Sequence, residues 1–257
     1  MKGEPLRHDF GSGEVDAYRW INADGQEGGI VAASACVYDG AVIGEDGIIG
    51  PDAIIGEGAR IGEGARIGEG ASIGAYARIC YRARISGGAR IGAYACIGDQ
   101  VRIGDGAIIG YRAIIGYRAS IGTDARIGAY ARIGDGAALG AYAGLGASIG
   151  DMTFIGDGAF IGDGASVGDG AVIAADDWHM AGGPCGSRGA MWTAVHSREH
   201  GLRWWVGCQR GISTDALLER VRAKHGDNEH AQAYRHAVQY VTTHPEYLRR
   251  IEQGAKE

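Results

Sequence analysis

A six-residue period between Ile61 and Gly146 constrains the fold of this chain more than any other sequence feature. A large aliphatic residue, most often isoleucine, returns at every sixth position through this stretch. A small residue, usually alanine, stands two positions before it, and glycine usually follows it. A short fixed period of this kind indicates a repeat architecture in which each unit stacks on the next.

Each hexapeptide predicts one short strand followed by a corner. Residues two apart on a strand point to the same side, so the alanine and the isoleucine face inward and the residue between them faces outward. We expect the glycine after the isoleucine to turn the corner, because glycine takes a positive φ without steric cost. Three strands and three corners make a coil of about 18 residues, and successive coils pair as parallel strands ~4.8 Å apart.

The register extends back from Ile61 to Val31 and is interrupted once, where Ile149 follows Leu145 after four residues. It then continues to Ile173. The repeats predict about eight coils, and the interruption predicts that one corner is missing or tightened.

These repeats resemble those of the hexapeptide-repeat left-handed parallel β-helix family, and the likeness covers more than half of the chain. The resemblance implies the left hand of the coil. The predicted fold class is therefore all-β, a left-handed parallel β-helix with a small α+β C-terminal domain. The family includes acyltransferases, carbonic anhydrases and proteins without known chemistry, so the resemblance leaves the function open.

Three segments are predicted around this β-helix. Residues 1–29 are expected to cap the first coil, since open coils would expose a sheet edge. Residues 30–175 form the coils, and residues 176–257 form a loop, a β-hairpin and helices.

The C-terminal segment carries recognisable turn and helix signals. Its first residues, 176–189, are rich in glycine and are predicted as a loop. Ser213 is placed to cap a first helix, Gly226 to end it and Asp227 to cap a second helix.

The same segment resembles the tail of many uncharacterised phage and prophage proteins that carry a hexapeptide coil. The matching stretches are Gly183–Arg188, Val206–Cys208 and His225–His230, together with Tyr234. The resemblance spans nearly the whole chain, but it implies no particular activity.

Composition excludes several classes of partner. The net charge of −6 gives no general attraction to duplex nucleic acid or to an anionic membrane. We expect no signal peptide and no membrane helix, because no apolar run approaches ~20 residues. The five cysteines lack the spacing of a metal site and are interpreted as reduced thiols of a cytoplasmic protein.

Catalytic histidines are missing from the predicted coils, since no histidine lies between His8 and His179. Hexapeptide acyltransferases usually place a general base there, and the related carbonic anhydrases need histidine ligands for a metal. We therefore expect no metal and no cofactor. An acyltransferase remains an alternative if His179 serves as the base.

Outward arginines fall into columns, because residues one coil apart stack. The longest column contains Arg66, Arg84 and Arg102. Its guanidiniums repel one another unless an anion or a carboxylate lies between them. One interpretation is a solvated face paired with corner residues such as Glu63 and Glu69. The other is a strip that binds phosphate or carboxylate, for which arginine is well shaped.

Aromatic and cationic residues alternate at the corners in the same way. Tyr76, Tyr94, Arg112 and Tyr130 form one corner column. Such a column can stack on bases or sugars, or it can line an interface between subunits.

The C-terminal segment offers a further candidate site, since a glycine-rich turn presents backbone N–H groups to an anion. The candidate ligand-binding residues there are Gly183, Gly186, Ser187, Arg188, His225, Asn228 and Tyr234.

The function predicted first is non-catalytic binding of a small anionic ligand by a homotrimer, at the arginine and tyrosine columns or at the glycine-rich turn. The expected ligand is a nucleotide, and one concrete role for a phage protein of this kind is to sequester a host nucleotide signal that serves defence. The alternatives are an acyl-CoA-dependent acyltransferase and a structural spacer in an assembly. The expected location is the cytoplasm of a bacterial host.

Overall fold

The fold was determined as a computed structural model that describes residues 2–11, 13–140, 147–157, 159–161, 166–173, 178–185, 190–197, 201–206, 209–245, 247–248 and 251. It is a three-sided parallel β-helix with an antiparallel extension at its N-terminal end and a small α+β unit at its C-terminal end. The predicted fold class is confirmed.

The N-terminal extension consists of two strands, β1 (Lys2–Asp9) and β2 (Glu14–Ile21), followed by β3 (Glu27–Ala32). These three strands pair in antiparallel order, and β3 then pairs in parallel with the first face of the coil. The cap predicted for residues 1–29 thus continues a sheet of the β-helix itself.

The remaining strands of the β-helix are two residues long. In chain order they are β4 (Cys36–Val37), β5 (Val42–Ile43), β6 (Ile48–Ile49), β7 (Ile54–Ile55), β8 (Arg60–Ile61), β9 (Arg66–Ile67), β10 (Ser72–Ile73), β11 (Arg78–Ile79), β12 (Arg84–Ile85), β13 (Arg90–Ile91), β14 (Cys96–Ile97), β15 (Arg102–Ile103), β16 (Ile108–Ile109), β17 (Ile114–Ile115), β18 (Ser120–Ile121), β19 (Arg126–Ile127), β20 (Arg132–Ile133), β21 (Ala138–Leu139), β22 (Ser148–Ile149), β23 (Phe154–Ile155), β24 (Phe160–Ile161), β25 (Ser166–Val167) and β26 (Val172–Ile173).

Every third strand belongs to the same face. The first face runs from β3 through β6 and β9 to β24, the second from β4 to β25, and the third from β5 to β26. Each face holds eight parallel strands among the described residues, in agreement with the predicted number of coils.

The interior follows the predicted alternation. Ile109 is 1% exposed and packs between Ile91 and Ile127 of the neighbouring coils, whereas Ile108, its neighbour in sequence, is 38% exposed. A column of isoleucines beside a column of alanines therefore forms one continuous core.

The role predicted for the corner glycines is wrong in its detail. The residue with positive φ is the third after the isoleucine, as at Gly70 and Tyr76. The glycine directly after the isoleucine is needed for space, because a Cβ on Gly74 would lie 2.5 Å from the backbone nitrogen of Ala93. Close stacking of coils, rather than the turn itself, thus favours glycine at this position.

The interruption of the repeat is longer, not shorter, than a normal corner. Arg126 pairs with Ser148, 22 residues away, whereas Ser148 pairs with Ser166, 18 residues away. The chain between β21 and β22 therefore has four additional residues, and no corner is lost. Leu145, predicted as an inward residue, lies outside the described residues.

The C-terminal unit has a four-stranded antiparallel sheet and two helices. Its elements are β27 (Trp178–Cys185), β28 (Ala190–Ser197), β29 (Gly201–Val206), β30 (Gln209–Ser213), α1 (Thr214–His225) and α2 (Glu229–Thr242). Residues 178–185, predicted as part of a loop, instead form the edge strand of this sheet. Proline has no backbone N–H to donate and is tolerated on edge strands and at irregular pairings. Pro184 meets both conditions, because β27 is an edge strand and its pairing with β28 is irregular between Gly182 and Cys185.

The C-terminal unit packs on the last coil. The hydroxyl of Thr193 donates to the backbone oxygen of Ser166 at 2.6 Å, and Val195 belongs to the core of the coil. Ser213 and Gly226 cap α1 as predicted, whereas Asn228 rather than Asp227 caps α2. Among the described residues, no helix is long and apolar enough to cross a membrane.

Candidate functional site

The predicted arginine column is present on the first face. Arg66, Arg84 and Arg102 occupy consecutive strands, pair in register and are exposed. No ion pair joins any of the three guanidiniums to a carboxylate of the described residues. The salt-bridged face that was considered from the sequence is therefore not formed, and the three like charges remain without a neutralising partner.

A groove runs along one side of this column, and we call it the cationic groove. Its volume is about 520 Å³, and its lining includes Arg19, Arg66, Arg82 and Arg84 together with Asp46. Four guanidiniums thus line the groove with one carboxylate. Arg102, one strand further along the first face, does not belong to this lining.

Arg82 occupies a corner of the coil, and its side chain is held by two neighbours. Arg82 has a φ of 51° at a corner position where the preceding coil has Gly64. A Cβ on Gly64 would lie 3.2 Å from Cγ of Arg82, so the arginine side chain lies across that glycine. The guanidinium also lies 4.8 Å from the centre of the Tyr81 ring. Arg112 and Arg118 have the same corner conformation, so it is the position of Arg82 in the lining of the cationic groove that makes it a candidate functional residue.

A second groove lies on the other side of Arg66 and Arg84, and we call it the hairpin groove. Its volume is about 410 Å³, and the turn between β1 and β2 forms its outer wall. His8 and Phe10 line it from that wall, and Ser86 lines it from the coil. The His8 ring is half-buried and meets the Phe10 ring edge-on at 4.6 Å.

The electrostatics of the hairpin turn are fixed by its backbone. Asp9 accepts hydrogen bonds from the N–H groups of Gly11 and Gly13 at 2.8 and 3.0 Å. These bonds lower the pKa of Asp9 below its ordinary value. A charged Asp9 thus stabilises the turn that carries His8 to the groove.

Sequence reasoning missed His8 and Arg19 as parts of the site. The six-residue period places Arg66 and Arg84, but it contains no information on where the N-terminal hairpin folds.

The predicted tyrosine column lies at the corner between the second and third faces. Tyr76 and Tyr94 stack at 5.2 Å between ring centres. The column then continues through Tyr111, which was not predicted, to Tyr130 at 5.7 and 5.5 Å. Arg112 lies 5.6 and 5.4 Å from the Tyr94 and Tyr111 rings. The rings contact one another, so the column is a continuous aromatic edge beside the third face.

The C-terminal candidates that the structure describes do not line these grooves. Gly183 lies in β27, and Gly186, Ser187 and Arg188 lie outside the described residues. His225 stacks on Tyr234 with ring centres 6.1 Å apart. The Asn228 side chain accepts from the N–H of Ala231, so it serves as the helix cap. A ligand at these residues stays a prediction.

The repeat identifies the fold family. The family model described as the bacterial transferase hexapeptide, six repeats in length, matches residues 46–81. This chain is a hexapeptide-repeat protein. The matched segment includes Asp46 and Arg66 of the cationic groove. No curated protein matches the chain in sequence.

Several solved structures are similar to this chain at low sequence identity. A variant of GDP-perosamine N-acetyl transferase from Caulobacter crescentus, in complex with CoA and GDP-perosamine, is 20% identical over 59% of this chain and 54% of that chain, with a TM-score of 0.25. LpxA from Acinetobacter baumannii is 16% identical over 79% and 94%, with a TM-score of 0.35. The acetyltransferase domain of PglB from Neisseria gonorrhoeae, in complex with acetyl coenzyme A, is 17% identical over 55% and 54%, with a TM-score of 0.27. This chain therefore spans about half the length of the first and third of these proteins.

These comparisons overturn the function that was predicted first. The matching repeat, residues 46–81, is described as that of bacterial transferases. Non-catalytic sequestration of a nucleotide signal is therefore wrong as the main function. The comparisons favour the alternative, a transferase of the hexapeptide class.

Proposed function

We propose that this protein is an acyl-CoA-dependent acyltransferase of the hexapeptide-repeat class. The observation that carries the proposal is the match of residues 46–81 to the bacterial transferase hexapeptide. The matched repeats form the wall of the two grooves beside Arg66, and we place the reaction there.

His8 is our candidate for the general base. It lines the hairpin groove, and its imidazole can accept the proton of an acceptor hydroxyl or amine. As that oxygen or nitrogen bonds to the thioester carbonyl carbon, the carbon–sulfur bond breaks and the thiolate of CoA leaves. The imidazolium then returns the proton to this sulfur, so His8 ends the cycle neutral.

His179 is the second candidate base, carried over from the sequence. It lies on β27 opposite Val195, in the sheet that packs on the last coil. The two histidines belong to opposite ends of the β-helix, and a substitution at each therefore separates the two sites.

Self-association is also proposed, in the form of a homotrimer that buries the third face. Apolar side chains on this face are exposed, among them Ile114 at 43% and Phe154 at 42%. The aromatic edge formed by Tyr76, Tyr94 and Tyr130 borders it, and tyrosine is enriched at subunit interfaces. Sedimentation of wild type beside Phe154→Glu tests this assembly, and a wild-type monomer at micromolar concentration would refute it.

The catalytic proposal is tested by measuring free CoA thiol released from acetyl-CoA in the presence of a panel of amino sugars and alcohols. We expect release that depends on the acceptor. His8→Gln should lower the rate by about 10²- to 10⁴-fold, the range for a positioned base. His236→Gln, on the exposed side of α2, is the matched control and should keep the wild-type rate.

The variants also decide between the two sites. Loss of activity in His179→Gln with wild-type activity in His8→Gln would move the reaction to the C-terminal end. Absence of acceptor-dependent thiol release by the wild type with every acceptor would refute the acyltransferase and leave the structural spacer. The phage resemblance and the cytoplasmic location stay predictions.

A further inference from the structure

We propose that the cationic groove is a diphosphate-binding subsite built jointly by the N-terminal hairpin and the coil. Arg66, Arg82 and Arg84 of the coil and Arg19 of the hairpin hold the phosphates there. This proposal rests on the acyltransferase function, since the diphosphate is assigned to the acyl donor, CoA.

The charge of the groove is the first argument. Arg66 and Arg84 lie on adjacent strands, which are ~4.8 Å apart in a parallel sheet. Neither guanidinium forms a hydrogen bond or an ion pair with a described residue. Like charges at this distance favour an anion between them, and a guanidinium can donate two parallel hydrogen bonds to one phosphate.

The placement of Arg82 is the second argument. Arg82 has a φ of 51°, a conformation that other corner residues such as Arg112 and Arg118 share, and the preceding coil has Gly64 at the equivalent position. The side chain is held over Gly64 and stacked on Tyr81, with the guanidinium at the wall of the groove. Because stacking limits the motion of the guanidinium, little rotamer entropy is lost when a ligand binds.

The third argument is that the hairpin supplies the fourth arginine from outside the coil. Arg19 of β2 donates a long hydrogen bond of 3.5 Å to the backbone oxygen of Gly28. Its nearest described carboxylate oxygen, on Glu27, is 3.9 Å from Nε. These contacts hold the side chain at the rim and leave most of its donors available. Asp46 is the one acidic residue in the lining and Glu27 is paired with Arg19, so an anion bound here meets four cations, three of which have no carboxylate partner among the described residues.

The size of the groove and the charge of the chain select the ligand class. A volume of about 520 Å³ is in the range of sites for small molecules rather than polymers. The net charge of −6 opposes binding of a nucleic acid. Several phosphates on one small molecule, as in CoA, match adjacent guanidiniums better than a single carboxylate does.

The test is calorimetric titration of the full chain with CoA, with inorganic pyrophosphate and with pantetheine, which carries the thiol arm without phosphates. We expect CoA to bind, pyrophosphate to compete with it and pantetheine to bind at least tenfold more weakly. The double variant Arg66→Gln/Arg84→Gln should lose about 100-fold in CoA affinity, about tenfold for each charge-assisted contact. Arg66→Lys/Arg84→Lys should recover part of this loss, because charge is kept and the paired geometry is not.

The matched control is Arg90→Gln/Arg126→Gln, which removes two exposed arginines from the second face. This variant has the same net charge as the first and should bind CoA like the wild type. Equal losses in both variants would reduce the effect to overall charge and overturn the subsite. Wild-type CoA affinity in Arg66→Gln/Arg84→Gln would overturn it as well. Acyl transfer is measured separately, so CoA binding in the groove without any transfer would refute the enzyme and keep the phosphate site.

Discussion

The pair Ile108 and Ile109 allows the packing of the coil to be tested quantitatively, because these neighbours in sequence face opposite sides of the wall. Replacing Ile109 by alanine removes three carbon atoms from a position that is 1% exposed. At ~0.8 kcal/mol for each buried carbon group, the lost transfer free energy is about 2.4 kcal/mol. Ile91 and Ile127 are fixed by their own strands and close the space only partly, so a cavity term raises the total to about 3–4 kcal/mol.

Ile108→Ala is the control, since it makes the same chemical change on a side chain that is 38% exposed. Water fills the space that it leaves, and we expect a cost of about 1 kcal/mol or less. Urea unfolding followed by far-ultraviolet circular dichroism gives both free energies, with the slope against urea unchanged. Equal costs for the two variants would contradict the assignment of inward and outward positions.

Three further predictions test particular residues. Gly74→Ala should lower the free energy of unfolding by about 1–3 kcal/mol, because its Cβ meets the backbone of the next coil. Gly70→Ala has open space but a φ of 64°, and it should lower the free energy of unfolding by about 1 kcal/mol. Urea unfolding compares the two variants. Asn228→Ala removes the cap of α2 and should lower the free energy of unfolding by about 1 kcal/mol in the same assay, and no change would refute the cap. Burial raises the pKa of Cys80, so its thiolate forms at a higher pH than that of an ordinary thiol. Iodoacetamide should therefore modify the exposed Cys36 before Cys80, and mass spectrometry of peptides between pH 7 and pH 10 checks this order.

The period of the sequence was sufficient to predict the three faces, because spacing alone decides which residues stack. Arg66, Arg84 and Arg102 pair as predicted for that reason. Leu145 shows where this reasoning fails. It matches the period by number, but the pairing of β19 with β22 shows four additional residues at that corner. A repeat count does not distinguish a tightened corner from a longer one, since only strand pairing fixes the register.

The parts of the site that were missed depend on contacts between distant segments. His8 and Arg19 reach the grooves because β1 and β2 extend the first face and their turn lies over it. No local pattern in residues 1–29 specifies that packing. The strand β27 was predicted as a loop for a related reason. Its glycines and proline are typical of turns, and only its pairing with β28 shows that the segment is a strand.

Tyr111 was missed because columns were assigned by spacing alone. Spacing places Arg112 between Tyr94 and Tyr130, and the backbone follows this expectation. The side chains differ, since the Tyr111 ring fills the gap and Arg112 lies against it. Side-chain direction at a corner is therefore not given by the register of the strands.

The most direct test of the account is a crystal structure of the full chain with CoA at millimolar concentration. The account predicts density for the diphosphate in the cationic groove, with phosphate oxygens within about 3 Å of the guanidiniums of Arg66 and Arg84. It also predicts that the thioester end of the donor points toward the hairpin groove and His8. CoA bound on another face of the coil, or at the C-terminal sheet near His179, would contradict both the subsite and the assigned base.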